Sequence, residues 1–350
     1  MAKSNYGGLD ILKFIVAILV IANHTGPMHA YNANADYLIS GILTRIAVPI
    51  FFMTSGFFFF RKWTGVHTND SKAWLGYMKK IGVLYVIAIL LYIPLNLYTG
   101  YFKESFTLYS FFKDIVFDGT FYHLWYLPAL MIGITITYFL YRKMSLTALL
   151  AIVSLLYVIG LFGDSYYGLI EGVYGITQFY DAMFFIFDYT RNGLFYAPIY
   201  LVLGAWAAKH PLQARKPIIY ASLFLLSLGL MFAEAIMLKS LELPRHDSMY
   251  IFALPATYFL FQWALLWKGQ SGRAFREWRV WIYILHPIAI VLVRGAAKAA
   301  GIEAVFITNS LIHFAAVCLL SVVLAAVAVK ISDIKFKIAH KHDNGRRSLS

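Results

Sequence analysis

Ten apolar runs follow one another along the chain with little between them, and nothing constrains its fold more. They cover residues 9–27, 40–60, 80–99, 121–141, 145–162, 189–208, 216–237, 250–268, 280–298 and 306–331. A helix needs about 20 mostly apolar residues to cross the hydrocarbon core. In lipid every backbone N–H and C=O must be bonded within the segment, so runs of this length fold as helices. The run 145–162 is the shortest, and 189–208 has the most polar start. Only 13% of residues are charged, against roughly 25% in soluble domains. The sequence therefore predicts an all-α, polytopic integral membrane protein with ten spanning helices. Residues 1–332 form one membrane domain, and 333–350 form a basic tail.

Orientation follows from lysine and arginine, which concentrate on the cytoplasmic side. With the N-terminus inside, the inner segments hold Lys3, Arg61, Lys62, Lys72, Lys79, Lys80, Arg142, Lys143, Lys209, Arg215, Lys216, Lys268, Arg273, Arg276, Arg279 and the basic residues from Lys330 to Arg347. The outer segments hold a much smaller set: Lys103, Lys113, Arg191, Lys239, Arg245, Arg294 and Lys298. Both termini are thus expected in the cytoplasm of a cell-membrane, multi-pass protein. The same distribution accounts for the net charge of +13 without a nucleic-acid partner. Asp10 and Lys13 interrupt the first run, which argues against a cleaved signal peptide. Cys318 is the only cysteine, so no intramolecular disulfide and no cysteine metal cluster can form. The longest outer loop, 163–188, is rich in tyrosine and glycine, which suits a lid, an interfacial segment or an aromatic belt. No repeat of the inverted-repeat transporter type is visible.

Ionisable groups inside a bilayer cost about 2.5–3.5 kcal/mol each, so they tend to persist where they have a role. Lys13 and His24 are eleven residues apart in the first run. At about 100° per residue they fall on one helix face, about 16 Å apart along the axis. An imidazole there can exchange a proton near neutral pH. Periodicity leaves other readings open: His24 as a water-bonded interfacial residue, Lys13 as a snorkelling cation. In the second run, Arg45 precedes Pro49, which should kink the helix and free a carbonyl. Ser55 and Gly56 are small enough for close helix contact. His123, Trp125 and Tyr126 open the fourth run and also fit an interfacial aromatic anchor. Arg191 enters the sixth run, and His286 lies deep in the ninth, as a supporting partner or a packing hydrogen bond. No phosphate-binding loop, nucleophile elbow or clear metal-ligand spacing is present.

These residues carry a resemblance. Lys13 and His24 resemble the basic-x10-His pattern of the membrane acyltransferase 3 family, and the text from Gly8-Leu-Asp-Ile-Leu-Lys13 to Asn23-His24-Thr25 is similar to its opening. Val48-Pro49-Ile-Phe-Phe52-Met-Thr-Ser55-Gly56, His123-Leu-Trp125-Tyr126-Leu and Tyr283-Ile-Leu-His286-Pro287 resemble later landmarks. Lys13 stands where that family often has arginine, and lysine cannot make the same planar, bidentate contacts. The resemblance covers nearly the whole chain. It implies transfer of an acyl group, commonly acetyl from acetyl-CoA as co-substrate with no bound cofactor, to a hydroxyl or amine of an envelope acceptor. His24 would be the general base and Lys13 would meet the donor from the cytoplasm. Lys79 and Lys80 stand where the family carries an arginine-rich inner loop, as donor-phosphate candidates. Arg45, Ser55, His123, Trp125, Tyr126, Arg191 and His286 are the substrate-binding or supporting candidates. The segments 123–128 and 188–195 also resemble the membrane domain of vancomycin-resistance serine racemases, which implies a serine-handling or uptake module.

Overall fold

The computed structural model describes residues 6–103, 106–210, 216–267, 269 and 272–347. Among them every regular element is helical. The α-helices are α1 Gly7–Thr25, α2 Ala33–Asp36, α3 Ala47–Phe60, α4 His67–Thr99 and α5 Leu108–Lys113. They continue with α6 Tyr126–Tyr141, α7 Leu146–Phe162, α8 Ile176–Ile186 and α9 Ala197–Lys209. The last four are α10 Pro217–Ser240, α11 Ala253–Leu265, α12 Arg273–Ala300 and α13 Ser310–Arg347. Lys3, Arg215 and Lys268 of the charge balance, the side chain of Arg273 and the side chains of the tail from residue 332 lie outside the described residues.

Each of the ten predicted runs contains a helix, and among the described residues six helical stretches are long and apolar enough to cross a bilayer. α6 and α7 are shorter, and α9 and α11 have 13 residues each. At about 1.5 Å per residue the last two rise about 20 Å, less than a hydrocarbon core of about 30 Å. Exposed apolar rows mark the lipid-facing sides: Val83, Ile87 and Leu90 on α4, and Leu319, Val323 and Val327 on α13. Spaced three or four apart, they form stripes that water would not tolerate at this size.

Several boundaries differ from those read in the sequence, each for a local reason. α4 begins at His67, because the polar stretch before residue 80 continues the helix although it is not apolar. The run at 40–60 starts with a π-helical stretch, Tyr37–Ile42, and a 3-10 turn, Leu43–Ile46, before α3. Pro49 has no N–H to offer the Arg45 carbonyl, and the irregularity lies in the turns just before it. The sixth run becomes helical only at Ala197. Asn192 ties up the preceding loop: its Oδ1 accepts from the Leu194 and Phe195 N–H groups at 2.9 and 3.1 Å. The long loop at 163–188 holds a 3-10 turn, Tyr167–Leu169, and α8, which exposes Phe179 and Phe185.

The chain forms two compact units, Met1–Ala47 with Ala264–Ser350, and Val48–Trp263. In the first, α1, α12 and α13 pack on one another, and the irregular stretch 37–46 lies along α1. In the second, α6 contacts α4, α7 and α9, and α7 contacts α9. α3 and α9 approach backbone to backbone there: a Cβ at Gly56 would meet the Leu201 carbonyl at 2.1 Å, and one at Gly204 the Met53 carbonyl at 2.0 Å. The small residue at Gly56 therefore serves the close helix contact expected of it.

Candidate active site

In the first unit, α1 runs unbroken through both Lys13 and His24. The helix ends on Gly26, whose φ of 56° is left-handed and unfavourable for other residues. The turn beyond it is fastened by Asp36, whose Oδ1 accepts from the Met28 N–H at 3.0 Å and the Ser40 hydroxyl at 3.1 Å. His24 is thereby held in the last turn of α1, half-buried. Its neighbour Asn23 accepts from the Thr44 hydroxyl at 3.1 Å and from Arg45 at 3.4 Å. Arg45 also donates to the Gly41 carbonyl at 2.9 Å, so it braces the turn beside His24.

The partner of His24 comes from α12. His24 and His286 stack with ring centroids 5.3 Å apart and planes 20° from parallel. His286 is fully buried, and its Nδ1 lies 2.8 Å from the Tyr283 carbonyl. A carbonyl only accepts, so Nδ1 carries the proton and Nε2 the lone pair. The sequence explains why that carbonyl is open. Residue 287 would normally donate to residue 283 in a helix, and proline has no N–H to do so. The His286-Pro287 pair thus supplies a freed carbonyl and the imidazole that takes it.

At the other end of α1, Asp10 gathers three cations. Arg279 donates to its Oδ1 at 2.6 Å and to its backbone carbonyl at 3.2 Å. Lys13 lies 3.4 Å from Oδ1, and Arg276 lies 3.9 Å from Oδ2. In the sequence Asp10 interrupts an apolar run, and Arg276 and Arg279 count among the inner charges. The Asp10–Arg279 pair joins positions 269 residues apart, which no local pattern signals.

The second unit gathers most of the remaining candidates around aromatic rings. The Arg191 guanidinium lies over Trp125 at 5.1 Å and Tyr189 at 4.3 Å. Trp125 and Tyr126 both pack on Phe52, at 6.3 and 4.8 Å between centroids. Ser55 hydrogen-bonds both Tyr77 and Tyr126. His123 and Trp125 sit in the turn before α6, and Tyr126 opens that helix. His123 is buried, 4.9 Å from the Tyr92 ring and 5.8 Å from Phe121. Lys79 and Lys80 lie mid-helix on α4, both exposed, rather than in a loop.

Nothing local in the sequence marks a polar centre in the loops of this unit. Asp164 is fully buried and accepts from the Ser248 and Met249 N–H groups at 2.7 and 2.9 Å and from the Ser165 hydroxyl at 2.9 Å, all on Oδ1. Burial pushes its carboxyl up to about 6, against those hydrogen bonds and nearby Arg191. His246, beside Tyr189, is held down at about 4 by burial and by Arg245 and Arg191. Glu234 of α10 accepts from the Ile251 and Phe252 N–H groups at 2.7 and 2.9 Å. These carboxylates order the segment leading into α11.

The chain is 40% identical to an amino-acid racemase of Enterococcus faecalis over 99% of its length, and 33% identical to a serine/alanine racemase of Enterococcus gallinarum over 90%. It covers 48% and 45% of those proteins, so it spans about half the length of the curated relatives it matches. No solved structure matches. The model of the acyltransferase domain, family 3, matches residues 6–330, a span containing Lys13, His24 and His286. The chain belongs to the acyltransferase 3 family, as a multi-pass membrane member of it.

Proposed function

We propose that the chain transfers an acyl group, acetyl in the simplest case, from acyl-CoA to a hydroxyl or amine of a cell-envelope carbohydrate or related acceptor. The observation that carries this reading is the stacked pair His24 and His286, one ring at a helix end and the other fixed in one tautomer. The acceptor oxygen attacks the thioester carbon as the His24 imidazole takes its proton. The carbon–sulfur bond breaks, and the proton passes to the departing thiolate. The face of neutral His286 lies beside the imidazolium that forms, where a π system favours a cation. The C-terminal end of α1 favours the same charge. Lys13 serves the donor side of the helix, and Arg45, Ser55, His123, Trp125, Tyr126 and Arg191 support or bind substrate. In this reading all ten helical segments belong to a cell-membrane domain with both termini cytoplasmic and residues 333–350 as its tail. Purified protein given labelled acetyl-CoA and envelope extract should label the envelope fraction. Absence of label across extracts, with folded protein that binds acetyl-CoA, would refute the reading.

One observation favours a second reading, a module that handles or transports an amino acid: the 40% identity to an amino-acid racemase covers 99% of the chain. Proteoliposomes loaded with the protein and no acyl donor should then accumulate labelled serine or alanine. Uptake equal to that of empty liposomes would remove this reading.

A further inference from the structure

In the second unit, α8 has three distinct sides around its axis. At about 100° per residue, Tyr180 and Phe184 fall on one side, Gln178 and Asp181 on a second, and Ile176, Phe179, Met183 and Ile186 on a third. The first side is fastened to the fold. Tyr180 is buried, and its hydroxyl donates to the Ile159 carbonyl, in the last turn of α7, at 2.8 Å. Tyr180 and Phe184 both pack on the Tyr167 ring, at 6.4 and 5.9 Å between centroids. The third side is apolar and open, with Ile176, Phe179 and Ile186 all exposed. α5 extends it: the Tyr109 ring stacks on Phe185 at 5.2 Å, and Leu108 and Phe112 are exposed alongside.

Position and backbone bonding identify what covers this side. Tyr180 holds α8 level with the end of α7, whose Leu155 and Val158 are exposed as a lipid-facing row is. Both ends of α8 have backbone groups tied within the chain. The Gly175 N–H donates to the Gln178 side chain, and the Thr177 N–H to the Val173 carbonyl at 3.0 Å. At the other end the Tyr109 hydroxyl donates to the Phe185 carbonyl, and the Asp188 N–H to the Asp118 carboxylate at 3.1 Å. Water would satisfy such groups unaided, whereas an apolar medium would not. Tyr174, just before the helix, is 91% exposed, and tyrosine suits headgroup depth. A protein partner fits this side poorly. The 11 residues of α8 offer a face about 16 Å long and about 10 Å across, far below the roughly 800 Å² per partner of a stable protein interface.

We propose that α8 is an interfacial helix, lying in the plane of the bilayer surface at the Phe162 end of α7. Ile176, Phe179, Met183 and Ile186 are set into lipid, and Gln178 and Asp181 face water. An apolar stripe beside a polar one is the pattern of a helix that lies on a membrane without crossing it. With both termini cytoplasmic, the leaflet is the outer one. The chain runs from α8 directly into the segment 188–192, so the lipid seat fixes where the turn carrying Arg191 begins. The seat is independent of the acyl-transfer reading.

The test uses the full chain in phosphatidylcholine/phosphatidylglycerol discs, spin-labelled at one site at a time. Cys318 is the only cysteine, so Cys318→Ala gives a clean background. Labels go on Phe179→Cys, Ile186→Cys, Gln178→Cys and Asp181→Cys, with Val323→Cys on lipid-facing α13 as the reference. The four α8 sites are exposed, where substitution is well tolerated, and melting curves check each variant. Oxygen, which enters lipid, and a nickel chelate, which stays in water, compete to relax each label. The oxygen-to-nickel ratio at positions 179 and 186 should shift toward that at 323, at a depth of about 5–10 Å into the headgroup–acyl boundary. At 178 and 181 the nickel chelate should dominate. Equal nickel access at all four positions would place the helix in water and overturn the proposal. Exclusion of both reagents at 179 and 186, or dipolar broadening between labels on two copies, would place protein there and overturn it as well.

Discussion

Replacing Pro287 by alanine should make the protein more stable and the histidine pair worse. In α12 the Tyr283 carbonyl accepts from His286 Nδ1 at 2.8 Å because residue 287 has no N–H. Alanine restores that N–H and points it at the same carbonyl. A proline in a helix interior costs up to about 3 kcal/mol relative to alanine. An imidazole–carbonyl bond contributes about 1 kcal/mol net. The backbone bond therefore wins, and His286 loses the contact that fixes its tautomer. One kcal/mol corresponds to about a fivefold change in population. Melting of the purified variant should rise by several degrees. Nitrogen NMR of labelled histidine should show Nδ1 of His286 no longer uniformly protonated. Acyl transfer should fall by about fivefold. A stabilised variant whose His286 tautomer and turnover both match the wild type would refute the link between Pro287, His286 and His24.

Other perturbations have equally defined outcomes. Burial raises Asp164 from 3.8 to about 6, so the folded state binds its proton more tightly than the unfolded chain. Its contribution is present below pH 3.8 and lost as pH rises through 6, a difference of about 3 kcal/mol. Asp164→Asn, which keeps an oxygen for Ser248 and Met249, should flatten the fall in melting temperature between those values relative to wild type. Asp10→Ala leaves buried Arg279 without its carboxylate and should cost about 3–5 kcal/mol, read as a lower unfolding temperature. Gly204→Ala puts a methyl 2.0 Å from the Met53 carbonyl. Forced apart, α3 and α9 should lose about 1–3 kcal/mol or more of stability in the same assay.

What could be read without a structure follows the range of the interactions. Apolar runs are local, so the existence of a helix in each was legible. The Lys13–His24 spacing was legible too, because one uninterrupted helix carries both. Helix starts were misplaced where something other than hydropathy sets them, as Asn192 does before α9 and the polar first turns of α4 do after His67. Arg191 and His123 stand out in the sequence as polar residues within apolar runs, yet they lie in turns before α9 and α6. The partners were hidden wherever the chain returns from afar. His286 was visible as a buried polar residue, but only the packing of α12 on α1 brings it to His24. Asp164 gave no local signal, because its partners at 248 and 249 belong to another loop.

The central claim is that His24 removes a proton during acyl transfer from a thioester. Free-thiol release from acetyl-CoA, measured with purified protein and envelope extract for wild type and His24→Ala, tests it most directly. Acceptor-dependent release by the wild type, abolished in a His24→Ala protein that melts normally and still binds acetyl-CoA, is the predicted result. Full acceptor-dependent release by His24→Ala would contradict the account.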